Sequence, residues 1–409
     1  MGKLKLLAST RSAGKMETYC GESLAVEEAK ESAFRGVDLV LGAAENEIAQ
    51  RFAPAIRAAG AVFVDNSSAF RLDPDVPLVV PEVNPEDAAH HSGIIANPNC
   101  TTIITVTAVA ALNRICPIRS MVVSTYQAVS GAGVAGIEEL HAQVSALEAG
   151  RPVAAQAFPH QIAYNLIPQI GGTQYRGYTS EEMKMQNEGR RILHLPELLV
   201  SCTCVRVPVI RSHSISATLR FARPLSVEEA RAAMETAPGC RLMDQVDEGI
   251  YPMPLDTSSQ DLVYVGRIRP DLTDPAGLCL WCCGDQIRKG AATNAVQIAE
   301  LLFLGKVSYL RSRLIPAAMA SASAMVAMCE NPLFVIAAVR HAPKIPGKSA
   351  SAPPGRQYVP PYLAGPSEAA PKPYPSWLPR VAWGESAAPP KRRSPPGRAR
   401  DRQTRLAPA

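Results

Sequence analysis

Cys100 stands in the run Ala96-Asn97-Pro98-Asn99-Cys100-Thr101-Thr102, between an apolar stretch at 93–96 and an apolar-periodic stretch at 102–112. The pattern predicts a helix that starts at or near the thiol. Unpaired N–H groups and the macrodipole at a helix start favour negative charge, so a cysteine there is expected to reach its thiolate more readily. Only the thiolate attacks carbon, so this is the environment that a nucleophilic cysteine needs. The competing reading is a buried, inert cysteine, which suits most of the other nine.

Two further patterns could do chemistry. Cys279-Leu280-Trp281-Cys282 has redox-motif spacing, but it lies in an apolar, strand-like run with Cys283 beside it and no second ligand pair. A packed strand is the better reading. Gly131-Ala132-Gly133-Val134-Ala135-Gly136 matches a dinucleotide fingerprint literally. That fingerprint belongs to the opening strand–helix turn and wants an acidic residue at the end of the next strand. Here it follows two earlier strands, so it reads as a tight turn that brings backbone close to a ligand.

The elements that must position these residues alternate. Strands are expected at 37–43 and 61–65 with a helix at 47–59 between them, a βαβ unit that implies a parallel sheet. A strand at 120–129 and a helix at 137–149 follow. Strands at 202–210, 214–221 and 261–267 and a helix at 226–236 then suggest an inserted α+β domain. A helix at 289–302 closes back on the first domain. The domain boundaries read as 1–99 for the first domain, 100–284 for the second, 285–308 for the closing helix and 309–409 for a disordered tail.

At 409 residues and 47% hydrophobic, the chain has room for two domains. Its net charge of +5 divides unevenly, because residues 341–409 hold 12 Lys and Arg against 3 Asp and Glu, a local +9 that leaves −4 for the rest. Those 69 residues also carry 16 prolines and little hydrophobic periodicity, so they are expected to stay unfolded. Residues 318–339 are apolar but interrupted by Cys329-Glu330-Asn331-Pro332, and read as a marginal helix. No apolar stretch suggests a membrane span and no secretory signal is visible, so reduced thiols are expected. No nucleic-acid or membrane partner is expected.

A family resemblance rests on motifs in a fixed order. These are residues 64–71 (Val-Asp-Asn-Ser-Ser-Ala-Phe-Arg), 79–84 (Val-Val-Pro-Glu-Val-Asn), 96–100, 124–131 (Ser-Thr-Tyr-Gln-Ala-Val-Ser-Gly) and 206–209 (Arg-Val-Pro-Val). From about residue 4 to residue 305 the chain resembles the aspartate-semialdehyde dehydrogenases. The related N-acetyl-glutamyl-phosphate reductases carry a Gly-Cys-Tyr context at the nucleophile, absent here. The resemblance implies an α/β, Rossmann-like domain with an inserted α+β domain. It also implies an NADP-dependent interconversion of aspartyl-4-phosphate with aspartate semialdehyde and phosphate, serving lysine, threonine, methionine and isoleucine synthesis, in a homodimer. It implies no metal.

Carried over residue by residue, the resemblance makes Cys100 the nucleophile, His213 the general acid/base and Gln127 the residue that orients the acyl group. An imidazole that titrates near neutrality would suit the proton transfers. Arg206 would pair with the substrate carboxylate as only a guanidinium fork can. Arg71, Asn99 and Lys184 match phosphate-binding positions, and Glu181 would receive the substrate ammonium. Spacing alone favours an exposed helical ion pair for Glu181 and Lys184. Thr10, Arg11 and Ser12 match the positions that meet the NADP 2′-phosphate, with Ser67, Ser130, Gly131 and Gln286 also on the cofactor side. Gln286 stands where many bacterial members have Asn, and the wording at 283–292 resembles plant and algal members. This suggests a plastid location for a plant or algal source and a cytoplasmic one otherwise.

Family members begin with a strand, a glycine-rich turn and a helix ahead of the segment matched here by residues 4–15. The expectation is therefore an N-terminally truncated frame with an unrelated C-terminal tail. Such a chain would lack a central strand, leave sheet edges unpaired and lose the helix start that holds a pyrophosphate. An alternative reading is a catalytically impaired, non-enzymatic homologue that dimerises through the second domain.

Overall fold

The computed structural model describes residues 3–19, 21–309 and 336–340. Strand β1 (Lys3–Ala8) runs through a turn holding Thr10, Arg11 and Ser12 into β2 (Met16–Tyr19) and β3 (Glu22–Glu28). Then come β4 (Leu39–Gly42), helix α1 (Asn46–Ala58), β5 (Val62–Asp65) and β6 (Ile94–Ala96). Helix α2 (Cys100–Ile115) leads to β7 (Ile118–Gln127) and α3 (Val134–Glu148). A small hairpin, β8 (Thr173–Tyr175) and β9 (Tyr178–Thr179), precedes α4 (Ser180–Ile192). The second half holds β10 (Leu199–Arg206), β11 (His213–Phe221), α5 (Val227–Glu235), β12 (Cys240–Leu242), α6 (Pro254–Thr257), β13 (Val263–Pro270) and β14 (Gly277–Gly284). A π-turn (Arg288–Ala292) opens α7 (Thr293–Tyr309), and β15 (Ile336–Arg340) follows.

The first sheet has the order β2-β3-β1-β15-β4-β5-β6. β4, β5 and β6 run parallel, as do β1 and β3. Val40 and Phe63 face α1, where Phe52 and Ile56 cover them, while Leu41, Val64 and Ile95 pack on Ala295, Val296 and Ile298 of α7. Coverage on both faces explains why β4 and β5 read as continuous apolar runs. The predicted βαβ unit is present with boundaries shifted by at most two residues, and the closing helix starts four residues later and ends seven residues later than expected.

β15 corrects two expectations. It lies antiparallel between β1 and β4, pairing Leu6 with Ala337 and Leu41 with Ala337 in the two registers, so the central place expected to be missing is filled. Residues 336–340 are thus strand, at the end of the apolar stretch read as a marginal helix and inside the tail read as disordered. The flanking strands each present a row of N–H and C=O groups, and an added strand satisfies both rows. The rest of the expected tail lies outside the described residues.

The second sheet has the order β10-β7-β11-β14-β13-β12, with mixed directions. Helix α2 leaves the end of β6 and packs its mostly buried surface of aliphatic residues and threonines against β13, β14, α4 and α5. A helix apolar on most sides belongs in a core. It therefore carries the chain from one sheet to the other and fixes Cys100 at their junction. Cys279 and Cys282 both lie on β14, and strand geometry points residues three apart to opposite faces, so they form no ligand pair.

Ala338→Pro, in β15, removes an N–H and a ladder bond in mid-sheet. The expected result is a clear fall in the thermal unfolding midpoint; an unchanged midpoint would show that the strand adds nothing to stability.

Candidate active site

Cys100 is the first residue of α2, as its context predicted. Asn99 caps that helix, its Oδ1 accepting from the N–H groups of Thr101 (3.0 Å) and Thr102 (3.2 Å). The cap takes up the donors that were expected to stabilise a thiolate. Burial, and next the Glu181 carboxylate, push the Cys100 thiol up to about 11, so the expected activation by the helix start is overturned. At rest the side chain is a protonated thiol, half-buried.

Three elements converge on it. Helix α4 starts with a Thr179–Glu182 capping box, which aims Glu181, Lys184 and Glu188 inward on one face. Glu181 Oε1 accepts from Asn99 Nδ2 at 3.0 Å and Gln127 Nε2 at 3.4 Å, and Oε2 accepts from Lys184 at 2.8 Å. Burial alone would raise the Glu181 carboxyl, but Lys184, Asn99 and Gln127 hold it below its usual value. The helical ion pair that spacing suggested is real, but it faces inward. Its Glu181 side chain is only 10% exposed.

Arg71 is buried and donates from Nε to Asn97 O (2.9 Å), from Nη2 to Asn66 O (2.7 Å) and from Nη1 to Glu188 Oε1 (3.3 Å). Glu188 Oε2 accepts the backbone N–H of Asn99 at 2.7 Å. Sequence reasoning missed Glu188, although it lies seven residues after Glu181 and so on the same helical face.

Arg206 ends β10. It is buried, donates to Ala128 O at 2.7 Å and lies 5.7 Å from the centre of the Phe158 ring. Among the described residues no carboxylate pairs with it. His213 opens β11 and is fully buried. Its Nδ1 accepts from Ala128 N–H at 3.1 Å, so the neutral ring carries its proton on Nε2, which has no partner. Burial, and then the Arg206 charge, push this imidazole down to about 3. The expected near-neutral titration is therefore overturned, and His213 is a neutral N–H donor. The residue before it, Ser212, holds φ +74° with its N–H bound to Gln286 Oε1 at 2.9 Å. Nothing in the sequence signalled that strained approach.

Gly131 separates this pair from the cleft, since a Cβ there would lie 2.7 Å from Arg206 Nη1 and 3.3 Å from His213 Nε2. Gly133 caps α3 at φ +77°, and a Cβ on Gly136 would meet Val129 O at 2.4 Å. The three glycines thus serve a tight turn, as their position implied. A cleft of about 360 Å³ unites Arg71, Asn99, Cys100, Ser130, Gly131, Lys184 and Gln286 between the two domains. Gln286 donates to Ser130 Oγ across it. Ser67 lies at the end of β5, bonded to Asp65 Oδ2 at 2.6 Å. Thr10, Arg11 and Ser12 do not line this cleft; Thr10 bonds Glu28 at 2.7 Å, Arg11 is exposed and Ser12 is buried.

A doubly wound sheet and a mixed-sheet domain meeting over a thiol, buried guanidinium groups and an imidazole define a two-domain dehydrogenase. Residues 1–91 match the NAD-binding domain of the semialdehyde dehydrogenases and residues 109–289 their dimerisation domain. The aspartate-semialdehyde dehydrogenase of Synechocystis sp. is 51% identical over 302 residues, which span 74% of this chain and 89% of that one. A Vibrio cholerae aspartate semialdehyde dehydrogenase II, solved in complex with ASA, shares 43% identity and a TM-score of 0.70, covering 72% of this chain and 88% of that chain. The Candida albicans enzyme, solved with NADP, shares 26% identity and a TM-score of 0.55, covering 72% and 89%. The chain belongs to the aspartate-semialdehyde dehydrogenase family.

The Cys100 environment sets a pH profile. Only the thiolate alkylates, so its rate with iodoacetamide should rise through neutral pH toward a midpoint near 11. Glu181→Gln removes a negative neighbour and should move that midpoint down. A midpoint unmoved by the substitution would remove Glu181 as a cause.

Proposed function

We propose that the chain reduces L-aspartyl-4-phosphate to L-aspartate 4-semialdehyde with NADPH, through a thioester on Cys100. The observation that carries this reading is the pairing of a cysteine with two cations, Arg71 and Lys184, in one cleft, with a third, Arg206, buried directly behind Gly131 of its wall. An acyl phosphate that also bears a carboxylate needs such a set. Arg206, buried without a carboxylate partner, takes the α-carboxylate. Glu181 takes the α-ammonium, while Lys184, Asn99 and Arg71 hold the phosphate.

The Cys100 thiol gives its proton to a phosphate oxygen of the substrate, its sulfur bonds to the acyl carbon and the carbon–oxygen bond to phosphate breaks, releasing inorganic phosphate that carries the proton away. His213 Nε2–H donates to the oxygen that gains negative charge, and Gln127 orients the acyl group. NADPH, when bound, supplies the hydride that converts the thioester to a hemithioacetal. Its collapse breaks the C–S bond, expels the thiolate and yields the aldehyde. The substrate ammonium also neutralises Glu181, the carboxylate that helps to hold the thiol protonated, so substrate binding favours the nucleophilic form.

The residues at the carboxyl end of β1 suit a 2′-phosphate, because Arg11 is exposed there and the buried Ser12 hydroxyl lacks a partner. Ser67, Ser130, Gly131 and Gln286 would hold the rest of the cofactor. A homodimer would form on the outer face of the second sheet, where Val122 and Leu199 are exposed and Tyr126 stacks at 5.5 Å from Trp281.

A coupled assay with aspartate semialdehyde, phosphate and NADP tests the reaction. Cys100→Ala should abolish turnover while the fold is retained; surviving activity would refute the thioester. Arg206→Lys should lower kcat/KM by about ten-fold or more, since a hydrogen bond to a charged group is worth about 1.5–3 kcal/mol. Unchanged parameters would remove Arg206 from carboxylate recognition. By calorimetry, Arg11→Ala should weaken NADP by about ten-fold and leave NAD unaffected. Equal losses for the two cofactors would reject the 2′-phosphate role.

A further inference from the structure

The turn that opens α7 touches the nucleophile directly. Its backbone bonds span five residues, Gly290 N–H to Asp285 O (3.0 Å) and Ala292 N–H to Ile287 O (2.9 Å). The extra residue widens the helix and pushes its backbone outward, as π-turns at functional sites do. Here the bulge brings Gly290 against Cys100, so closely that a Cβ on Gly290 would lie 3.0 Å from Cys100 Cβ and 3.3 Å from its Cα.

The bulge is anchored on both sides. Arg288 grips Asp261 with two hydrogen bonds (2.8 and 2.6 Å), and Thr293 donates to the same carboxylate at 2.6 Å. Lys289, fully buried, pairs with Glu82 and donates to Asn294 Oδ1 (2.9 Å) and Gln297 Oε1 (2.8 Å). Asn97, three residues before the nucleophile, donates to Ala291 O at 3.1 Å. So many fixed contacts leave the backbone at 290 little freedom, and a side chain there must displace the cysteine rather than the turn.

We propose that the π-turn Arg288–Ala292 positions the Cys100 thiol, with Gly290 as the point of contact and Arg288 and Lys289 as its anchors. This rests on Cys100 being the nucleophile. The turn acts through the cysteine, so Gly290 is a positioning residue. Near-attack alignment is steeply distance-dependent, and a misplacement of about 1 Å can cost about a hundred-fold in rate.

The test is a burst experiment with aspartate semialdehyde and NADP in the absence of phosphate, where the thioester accumulates and NADPH appears in one turnover. Mass analysis locates the acyl group. For Gly290→Ala the burst should slow by about ten-fold or more. The semialdehyde concentration giving half the maximal burst rate should stay within about three-fold of wild type. Arg288→Lys, which keeps the charge but loses the two-point grip and leaves the cleft wall alone, should slow the burst in the same sense by a smaller factor. A wild-type burst rate in Gly290→Ala overturns the proposal, as does a loss of binding that matches the loss of rate. Should Gly290→Ala not fold, Arg288→Lys decides alone by the same two criteria. A wild-type protein that carries no acyl group on Cys100 overturns the nucleophile assignment and the positioning role with it; every other outcome leaves that adduct in place.

Discussion

A single buried carboxylate underlies the whole arrangement. Glu188 binds the Arg71 guanidinium with one oxygen and the Asn99 amide with the other. It therefore joins the loop after β5, the start of α2 and the inward face of α4. Burial pushes this carboxyl up, and the Arg71 charge opposes that push. Removing one partner of such a buried pair costs about 3–5 kcal/mol, because the survivor is left uncompensated. From this anchor the order passes outward. Asn99, held at its amide, caps α2 with its oxygen and directs Glu181 with its nitrogen. Glu181 in turn meets Gln127 and Lys184.

Burial and the Glu181 carboxylate keep the thiol protonated at rest, and the Asn99 cap leaves the helix start little to set against them. A helix start can stabilise a thiolate only with donors that remain free, and Asn99 has claimed two of them. What is left is a half-buried sulfur beside a carboxylate. On the proposed function, reactivity is then conditional on the ligand, because a substrate ammonium at Glu181 would cancel the nearest negative charge. Such a site protects an otherwise oxidisable thiol when nothing is bound. His213 fits this scheme as a fixed N–H donor, with its other nitrogen already committed to Ala128.

Much of this was legible in the sequence, for reasons that differ by residue. The strands β4 and β5, the helices α1, α2 and α7 and the helix-start placement of Cys100 follow from apolar periodicity, which is local. Arg206 and His213 could be singled out only by resemblance to a family, since a lone arginine or histidine on a strand carries no periodic signal. Glu188 was accessible from helical spacing but had no motif to mark it. The pKa directions at Cys100 and His213 were misjudged because burial and the Asn99 cap are tertiary facts that no window of sequence contains. The π-turn was invisible because it depends on Glu82 and Asp261, far away along the chain. β15 was missed because composition speaks for a long stretch and not for five residues that find two open edges.

The placing of β15 also bears on the order of assembly during synthesis. Lys3 and Arg340 lie side by side in the finished sheet, yet most of the chain separates them. Closing so long a loop is entropically slow, and pairings of this separation form late. The second sheet, built between Ile118 and Gly284, can complete itself while the chain is still being made. The first sheet must wait until residue 340 has left the ribosome. Its two halves would meanwhile stay open to strangers, a window in which a nascent chain depends on chaperones rather than on its own contacts.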